Sequence, residues 1–372
     1  MTATSPDTAD RARIALVGAG VIGAHHGLVI SELADRVELV AVVDVHPERA
    51  EQLAAERGGK AFTSLTDALA AVPIDIVVIC TPTGRHGEVA IEALQAGKHV
   101  IIEKPAETTV AKTDMIIDAQ RKAGTLVAVI SQHRFDQSTE IALDAIARGE
   151  LGRLTTGIAS IDWWRGQSYY DSGDWRGTWE LDGGGALMNQ GVHTVDLLVA
   201  TMGRPVEVFA YTGTLAHERI EVEDAAVAVV RFESGALGVL HATTAAYPGL
   251  SARLQVHGDQ GSIVIDNDLL TFIHVTPQGS QAEEKLMGSK SDSINQVDRY
   301  VDRYSATEQN GPTAGSNPGG LSPLAHRRQY ENFLAALAGE EPVRVDLETN
   351  RRSIGVITGV YESARTGRPV AL

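Results

Sequence analysis

The chain has 372 residues, a length that predicts two domains rather than one. Hydrophobic residues make up 43% of it and charged residues 22%, which is the composition of an ordinary globular protein. The formal net charge of −16 repels polyanions and argues against nucleic acid or an anionic membrane surface as a partner.

Cysteine usage and the N-terminus predict a protein of the cytoplasm. Cys80 is the only cysteine, so no internal disulfide can form, as is usual in a reducing compartment. Residues 1–10 lack the apolar core of a signal peptide, and no apolar run reaches membrane-spanning length. The adjacent His25 and His26 cannot point the same way, so we expect no metal site.

Residues 11–131 alternate between short β-branched runs and segments with helical periodicity. Strands are predicted at 13–18, 37–44, 74–81, 99–104 and 125–131. Helices are predicted between them at 21–33, 47–57, 84–96 and 109–123. Continuous apolar strands separated by helices are typical of a parallel sheet covered on both faces, so this part is predicted to be an α/β domain.

Residues 132–372 predict a second domain, of the α+β class, for substrate binding and oligomerisation. Strands joined by turns are predicted at 206–215, 223–244, 252–266 and 269–275, which favours a large, mostly antiparallel open sheet. The polar residues 277–322 predict a long loop, either a lid or an oligomer arm. Two helices, at 323–338 and 347–366, are expected to end the chain.

The stretch "VGAGVIGAHH" follows the first predicted strand and opens the first predicted helix. Gly18, Gly20 and Gly23 have the G-x-G-x-x-G spacing in the strand–turn–helix context that this motif requires. The first glycine permits the tight turn, the second close approach to a pyrophosphate, and the third helix packing. Val21 and Ile22 open the helix whose N-terminus faces the phosphates. The motif predicts a Rossmann domain that binds a dinucleotide; a structural turn without a ligand is the alternative.

Asp44 ends the second predicted strand, at the place that distinguishes NAD from NADP. An acid at this place accepts hydrogen bonds from a ribose diol and repels a 2′-phosphate, so NAD is favoured over NADP. Arg49, one helical turn further on, keeps NADP as the less favoured alternative.

The segment "CTPTGRH" begins where another predicted strand ends, at the sheet edge where ligands of such folds bind. Thr81 and Thr83 are candidates to hydrogen-bond the cofactor, and Pro82 fixes the turn. His86 is either a further cofactor contact or a solvated residue early in the next helix.

Lys104 ends the predicted strand 99–104 at the same edge of the sheet. Because Pro105 follows, the lysine is held extended, and a cis bond to the proline is one option. The strand would therefore deliver Lys104 to the cofactor, where its amine can transfer a proton while hydride moves. Glu103, also beside the cofactor, is expected to orient the loop or the lysine. A surface lysine in a turn is the alternative.

A second polar group lies in "GGGALMNQGVHTVD", whose glycines permit close backbone approach before a helix. Asn189, His193 and Asp196 fall at i, i+4 and i+7, on one helix face. Because buried polar groups need partners, a substrate sugar is expected to bind Asn189 and His193. The alternative is a helix-to-loop network in which Asp196 orients His193 or backbone. Arg134 either reaches the substrate or braces the hinge.

All four tryptophans lie in "DWWRGQSYYDSGDWRGTW", interleaved with tyrosines and arginines. Aromatic faces suit the C–H faces of a sugar, which makes Trp163 and Tyr170 candidates for substrate binding. Arg165 could bind an anionic group of the substrate bidentately, and Trp175 with Arg176 could instead contact the cofactor. A packed loop at an oligomer interface is the alternative.

Taken together, "EKP" and the pattern G-G-G-x-x-x-x-x-G-x-H-x-x-D behind a dinucleotide fold resemble the Gfo/Idh/MocA oxidoreductases. The resemblance covers nearly the whole chain and implies NAD(P)-dependent hydride transfer on sugars, cyclitols and their derivatives. It implies Lys104 as the catalytic lysine, His193 as the histidine of the substrate domain, and a homodimer or homotetramer. Family members often carry Asp where this chain has Asn189. An amide cannot relay a proton, so Asn189 is expected only to hydrogen-bond the substrate.

Two other functions stay open. Some proteins resembling this family cleave glycosides by transient oxidation at C3, elimination, hydration and return of the hydride. For this chain such a glycoside would be anionic, for example sulfonated or carboxylated. A non-catalytic NAD-dependent sensor is the third hypothesis, and the joint presence of Lys104 and His193 argues against it.

Overall fold

The structure, a computed structural model, describes residues 11–276, 294–304 and 323–372. The chain divides into two compact units. Unit 1 comprises Met1–Ile130 and Pro323–Arg351, and unit 2 comprises Ser131–Ser322 and Arg352–Leu372. This division differs from the predicted one for residues 323–351, which were expected in the second domain.

Unit 1 is built on a six-stranded parallel sheet in the order β3-β2-β1-β4-β5-β6. Its elements are β1 (Ala12–Val17), α1 (Val21–Glu32), β2 (Val37–Val43), α2 (Pro47–Arg57), β3 (Lys60–Phe62), α3 (Leu65–Ala71), β4 (Ile76–Ile79), α4 (His86–Gln95), β5 (His99–Ile102), α5 (Val110–Ala123), β6 (Val127–Val129) and α10 (Pro323–Leu337). The strand order reverses between β1 and β4, and ligands of such sheets bind beyond the carboxyl ends there.

The predicted α/β fold of the first part is confirmed, with two additions. The edge strand β3 and the short helix α3 were not predicted, because residues 58–72 have no long apolar run. The central strand β4 consists of buried β-branched residues throughout, as a strand covered on both faces requires.

Helix α10 belongs to unit 1 because its apolar side chains complete the core there. Tyr330 and Phe333 are buried against the side chains of α1 and the sheet. The backbone N–H of Val129, in the edge strand β6, donates to the carbonyl of Val345 at 3.0 Å. These contacts join residues distant in sequence, which local patterns do not reveal.

Unit 2 contains an eight-stranded, mostly antiparallel sheet in the order β13-β12-β11-β7-β10-β9-β8-β14, with β7 and β10 parallel. Its elements are α6 (Gln137–Ala147), β7 (Leu154–Asp162), α7 (Gln167–Tyr170), α8 (Val192–Met202), β8 (Pro205–Gly213), β9 (Ala225–Phe232), β10 (Leu237–Thr243), β11 (Ala252–Gly258), β12 (Gly261–Asp266), β13 (Leu269–Val275), α9 (Val297–Tyr304) and β14 (Val370–Ala371). Helix α11 (Leu347–Thr366) begins in unit 1 and continues in unit 2. The predicted fold class of this part is confirmed.

The stretch predicted as one long loop contains a helix. Helix α9 occupies Val297–Tyr304, and its Tyr300 side chain is buried in the core of unit 2. Residues 277–293 and 305–322 of that predicted loop lie outside the described residues. Among the described residues, every helix is too short or too polar to cross a membrane.

One face of the unit 2 sheet packs on α8, and the other face carries exposed side chains. Along β9 and β10 the side chains alternate between buried and exposed. The exposed side chains of β9 and β10, together with Tyr211 on the neighbouring β8, include large apolar ones: Tyr211, Val227, Val229, Leu237 and Val239. We call these residues the open sheet face.

Candidate active site

The glycine turn after β1 is shaped by backbone contacts and leaves one open approach. Gly18 has φ +99°, and a Cβ there would lie 2.5 Å from the carbonyl oxygen of Cys80. A Cβ on Gly23 would lie 1.9 Å from the Gly18 carbonyl oxygen. A Cβ on Gly20 would meet nothing within 4 Å, so a ligand can approach the backbone at that residue.

The start of α1 and the end of β2 complete a site that fits a dinucleotide. Helix α1 begins at the exposed Val21, followed by the half-buried Ile22, and has no side-chain cap, so its first N–H groups can bind phosphate. Asp44 accepts hydrogen bonds from the N–H groups of Ala19 at 2.7 Å and His46 at 2.9 Å. These bonds fix the carboxylate at the carboxyl end of β2, where a ribose diol is recognised.

The turn after β4 is tied to the turn after β5 by the buried His86. Its ring nitrogens lie 2.8 Å from the carbonyl oxygens of Thr81 and Pro105. Burial lowers the pKa of His86. This geometry favours a brace that positions both turns, whereas sequence predicted a cofactor contact or a solvated residue. Pro82 is half-buried and Thr83 is buried at the same turn.

Lys104 follows β5 at the same sheet edge and is half-buried, with a cis peptide bond to Pro105. Behind it, the buried Glu103 accepts hydrogen bonds from the Lys104 backbone N–H at 3.0 Å and from His26 at 2.8 Å. Burial raises the pKa of Glu103, but hydrogen bonds from His26 and His326 outweigh it and hold the pKa well below its usual range. This geometry favours Glu103 as an anion that orients the lysine segment.

In unit 2, Gly184 and Gly185 of the triple glycine pack against the chain itself rather than leaving space. A Cβ on Gly185 would lie 1.7 Å from the Glu223 carbonyl oxygen, and one on Gly184 would lie 2.1 Å from the Tyr361 hydroxyl. The buried Glu223 carboxylate accepts hydrogen bonds from the N–H groups of Gly185 and Leu187 at 2.9 and 2.8 Å. Burial raises the pKa of Glu223 to about 7. These contacts hold a π-helical turn, Ala186–Gly191, that precedes α8.

Asn189 lies on this π-helical turn with both ends of its amide in use. Its NH₂ donates to the buried Asp182, and its oxygen accepts from Gln190 at 3.1 Å. Asp182 also accepts the backbone N–H of Gly177 at 2.8 Å. The amide is thus pre-oriented, which a residue that binds a substrate hydroxyl needs.

His193 is half-buried on α8 and packs edge-on against His133, with 4.9 Å between ring centroids. Nδ1 of His133 lies 2.8 Å from Asp136 and 3.2 Å from Asp268. Burial lowers the pKa of His133, but the two carboxylates outweigh it and raise the pKa well above its usual value. The two carboxylates therefore favour the charged form of His133, beside His193.

Asp196, one turn further along α8, forms its side-chain contacts with residues of unit 2. It binds the Arg134 guanidinium through two bonds of 2.6 and 2.7 Å and also accepts from Ser131 and Ser353. Of the two roles predicted for Arg134, this geometry favours the brace. The predicted one-face stripe thus separates into a half-buried Asn189 and His193 and a buried ion pair.

The aromatic segment forms a cluster around Tyr169, which sequence did not single out. The guanidinium carbons of Arg165 and Arg176 lie 5.6 and 4.3 Å from the Tyr169 ring centroid. Trp163 and Trp175 stack on the same two arginines at 5.0 and 4.4 Å. Tyr170, the predicted contact, is 5% exposed and its hydroxyl lies 2.7 Å from Thr244, so its role is packing.

Comparison with known proteins agrees with this geometry. Residues 12–131 match the family described as "Oxidoreductase family, NAD-binding Rossmann fold", and residues 140–264 match the GFO/IDH/MocA C-terminal domain. The chain is 29% identical to myo-inositol 2-dehydrogenase of Thermotoga maritima, with 78% of this chain and 84% of that one covered. It is 27% identical to scyllo-inositol 2-dehydrogenase (NAD+) of Bacillus subtilis, with 97% and 96% covered.

A solved structure covers the whole fold. The crystal structure of the WlbA dehydrogenase from Bordetella pertussis, in complex with NADH and UDP-GlcNAcA, is 32% identical. It superposes with a TM-score of 0.82, with 99% of both chains covered.

The fold and the glycine turn define an NAD-dependent oxidoreductase. The chain belongs to the Gfo/Idh/MocA family, as the resemblance of its motifs predicted. NAD as the cofactor is also confirmed.

Proposed function

We propose that the protein oxidises a CH–OH group of a sugar, a cyclitol or a derivative of either, with Lys104 carrying the hydroxyl proton. The observation that carries this proposal is the position of Lys104 within unit 1. Strands β1, β4 and β5 are parallel neighbours, so the glycine turn, Thr81 and Lys104 follow carboxyl ends along one sheet edge. Bound NAD would supply the hydride acceptor at this edge.

The chain's own residues hold the reactants and move the proton. Backbone N–H groups at the start of α1 bind the pyrophosphate, and Asp44 binds the ribose diol. The amine of Lys104 accepts the proton that the hydroxyl releases. In unit 2, His193 and Asn189 hydrogen-bond substrate hydroxyls. The relatives act on inositols by name, and one holds UDP-GlcNAcA, which supports a carbohydrate derivative as substrate.

Net oxidation is favoured over redox-neutral glycoside cleavage, because the relatives are named as dehydrogenases. The test screens sugars, cyclitols and aryl glycosides with NAD while following NADH absorbance and aglycone release in the same cuvette. NADH accumulation supports the proposal. Aglycone release at constant NADH contradicts it and supports the glycosidase hypothesis.

Two variants assign the roles. Lys104→Met keeps the length of the side chain without the amine, so it should abolish turnover and leave NAD affinity unchanged. His193→Asn should raise KM and lower kcat. Turnover of Lys104→Met at the wild-type rate would remove the lysine from the mechanism.

We also propose a cytoplasmic homo-oligomer, a dimer or tetramer, that associates through the open sheet face. Val229 and Leu237 are 54% and 53% exposed there, on adjacent strands. Contiguous apolar surface of this kind is a mark of an interface. Light scattering after size exclusion should give a mass that is a multiple of the monomer's, and Val229→Glu should reduce it.

A further inference from the structure

We propose that Arg165 and Arg176 form a receptor for one anionic group of the substrate. The inference rests on the proposed function in one respect, namely that the substrate is a carbohydrate. The shared chemistry of the ligand is an oxyanion, which a carboxylate, a sulfonate or a phosphate can supply.

Among the described residues, Arg165 and Arg176 lack the acidic partner that Arg134 and Arg219 have. Arg134 binds Asp196, and Arg219 binds Asp171 at 2.7 Å. Neither Arg165 nor Arg176 has a carboxylate within ion-pair distance among the described residues, although both are half-buried. Burial lowers the pKa of Arg165, and the nearby charge of Arg176 also lowers it. A bound anion close to both cations would offset that repulsion.

The two guanidinium groups are held in place before any ligand binds. Tyr169 contacts both, and Trp163 and Trp175 each stack on one of them. Arg165 donates to the carbonyl of Trp164 and to Gln190, both at 3.2 Å. Within the described residues the Arg176 guanidinium donates no hydrogen bond. Unused donors on ordered side chains bind an anion with little further loss of entropy.

One side chain links this receptor to the proposed substrate residues. Gln190 is buried, accepts from Arg165, and donates to the Tyr169 hydroxyl at 3.0 Å and to Asn189 at 3.1 Å. The receptor therefore lies one amide away from Asn189. A substrate held by Asn189 through a hydroxyl can place a charged substituent of the same molecule against the arginines. Because the whole chain carries −16, such a local receptor is needed to attract an anion.

The experiment compares neutral and anionic forms of one sugar skeleton. An aldose, its uronate, its sulfonate and its phosphate at the same carbon are titrated by calorimetry into the NADH complex. Comparing the uronate, the sulfonate and the phosphate shows which of the three anionic groups the arginines bind. We expect the wild type to bind at least one anionic form more tightly than the aldose. Arg165→Met and Arg176→Met should each weaken that binding about tenfold to a hundredfold and change aldose binding less than about threefold.

Two controls and the outcomes decide the proposal. Arg204→Met removes an exposed arginine, 59% exposed and paired with Glu233, and should leave every affinity unchanged. Arg176→Lys keeps the charge without the planar fork and should recover part of the preference. Equal losses for neutral and anionic sugars would overturn the proposal. So would a lower NAD affinity of Arg176→Met with the anionic preference intact, because Arg176 would then be a cofactor contact.

Different results would contradict the proposed oxidation and the proposed anion receptor. Arginine-dependent binding of an anionic sugar that never reduces NAD would support the receptor and contradict the proposed oxidation. NADH formation from neutral sugars with no preference for anionic forms would support oxidation and contradict the receptor.

Discussion

Asp196 tests whether the polar face of α8 is held by a buried ion pair. Its side chain is 3% exposed and that of its partner Arg134 is 12% exposed. Asp196→Asn keeps the shape and removes the charge, which leaves the buried guanidinium without its counter-ion. Breaking one side of such a pair costs about 3–5 kcal/mol. We therefore expect the free energy of unfolding of unit 2 to fall by that amount.

The assay can be made specific to unit 2. All four tryptophans lie between residues 163 and 179, so their fluorescence during denaturant unfolding reports on that unit. A double-mutant cycle with Arg134→Met should give a coupling energy of about 2–4 kcal/mol, because the double variant has no unpaired charge left. The matched control is the Asp144–Arg148 pair at the end of α6, 36% and 39% exposed, whose coupling should stay below about 1 kcal/mol. Equal couplings for the two pairs would refute the reasoning.

The stability of the protein at low pH is an independent test of the Asp196 carboxylate. Burial raises the pKa of Asp196, but the charge and hydrogen bonds of Arg134 outweigh it and lower the pKa below 3.8. A depressed folded-state pKa gives stability that is present above the unfolded-state pKa and is lost as the pH falls below it. The wild type should therefore lose more stability than Asp196→Asn when the pH falls below about 4.

Three further substitutions test other parts of the site. Gly20→Ala should leave the thermal midpoint of the ligand-free protein unchanged, since its Cβ meets nothing within 4 Å, yet weaken NAD binding about tenfold by calorimetry. Gly23→Ala should instead lower that midpoint by several degrees, because its Cβ would lie 1.9 Å from the Gly18 carbonyl oxygen. His133→Asn removes a positive charge beside His193, so the pH below which kcat/KM declines should move upward. An unchanged pH–rate profile in a folded His133→Asn variant would separate the two histidines functionally.

The cofactor half was predictable because its signals are local. Gly18, Gly20 and Gly23 lie in one turn, and Asp44 and Lys104 each end a strand whose apolar run is visible in the sequence. A parallel sheet then brings these strand ends to one edge without further information. The two omissions, β3 and α3, have no long apolar run and lie beside the edge of the sheet.

The substrate half was less predictable because its contacts join distant segments. Tyr169 and Tyr170 are adjacent, and the buried one, Tyr170, contacts Thr244, which is 74 residues away. The Glu223 carboxylate binds the N–H group of Gly185 before the π-helical turn, although the two residues are 38 positions apart. Asp268 lies 3.2 Å from His133, which is far from it in sequence. The sequence prediction used regular α-helical spacing, i to i+4, and therefore did not reveal the π-helical turn Ala186–Gly191. One signal was available: a histidine three residues before an acid, His133 and Asp136, can form an ion pair on one helical turn.

Whether a buried or half-buried charged side chain has a partner in the protein helps to distinguish structural residues from candidate ligand-binding residues. Glu103 is hydrogen-bonded by His26, Asp196 is paired with Arg134, and His133 lies against two aspartates, each within its own unit. Burying an unpaired charge is costly, so these pairs are what folding alone requires. Arg165 and Arg176 depart from that rule, because aromatic faces and carbonyl or amide groups are their described contacts. Unlike Arg134, which binds Asp196, these two half-buried cations meet no carboxylate among the described residues. This contrast makes the anion test the most informative one for substrate identity.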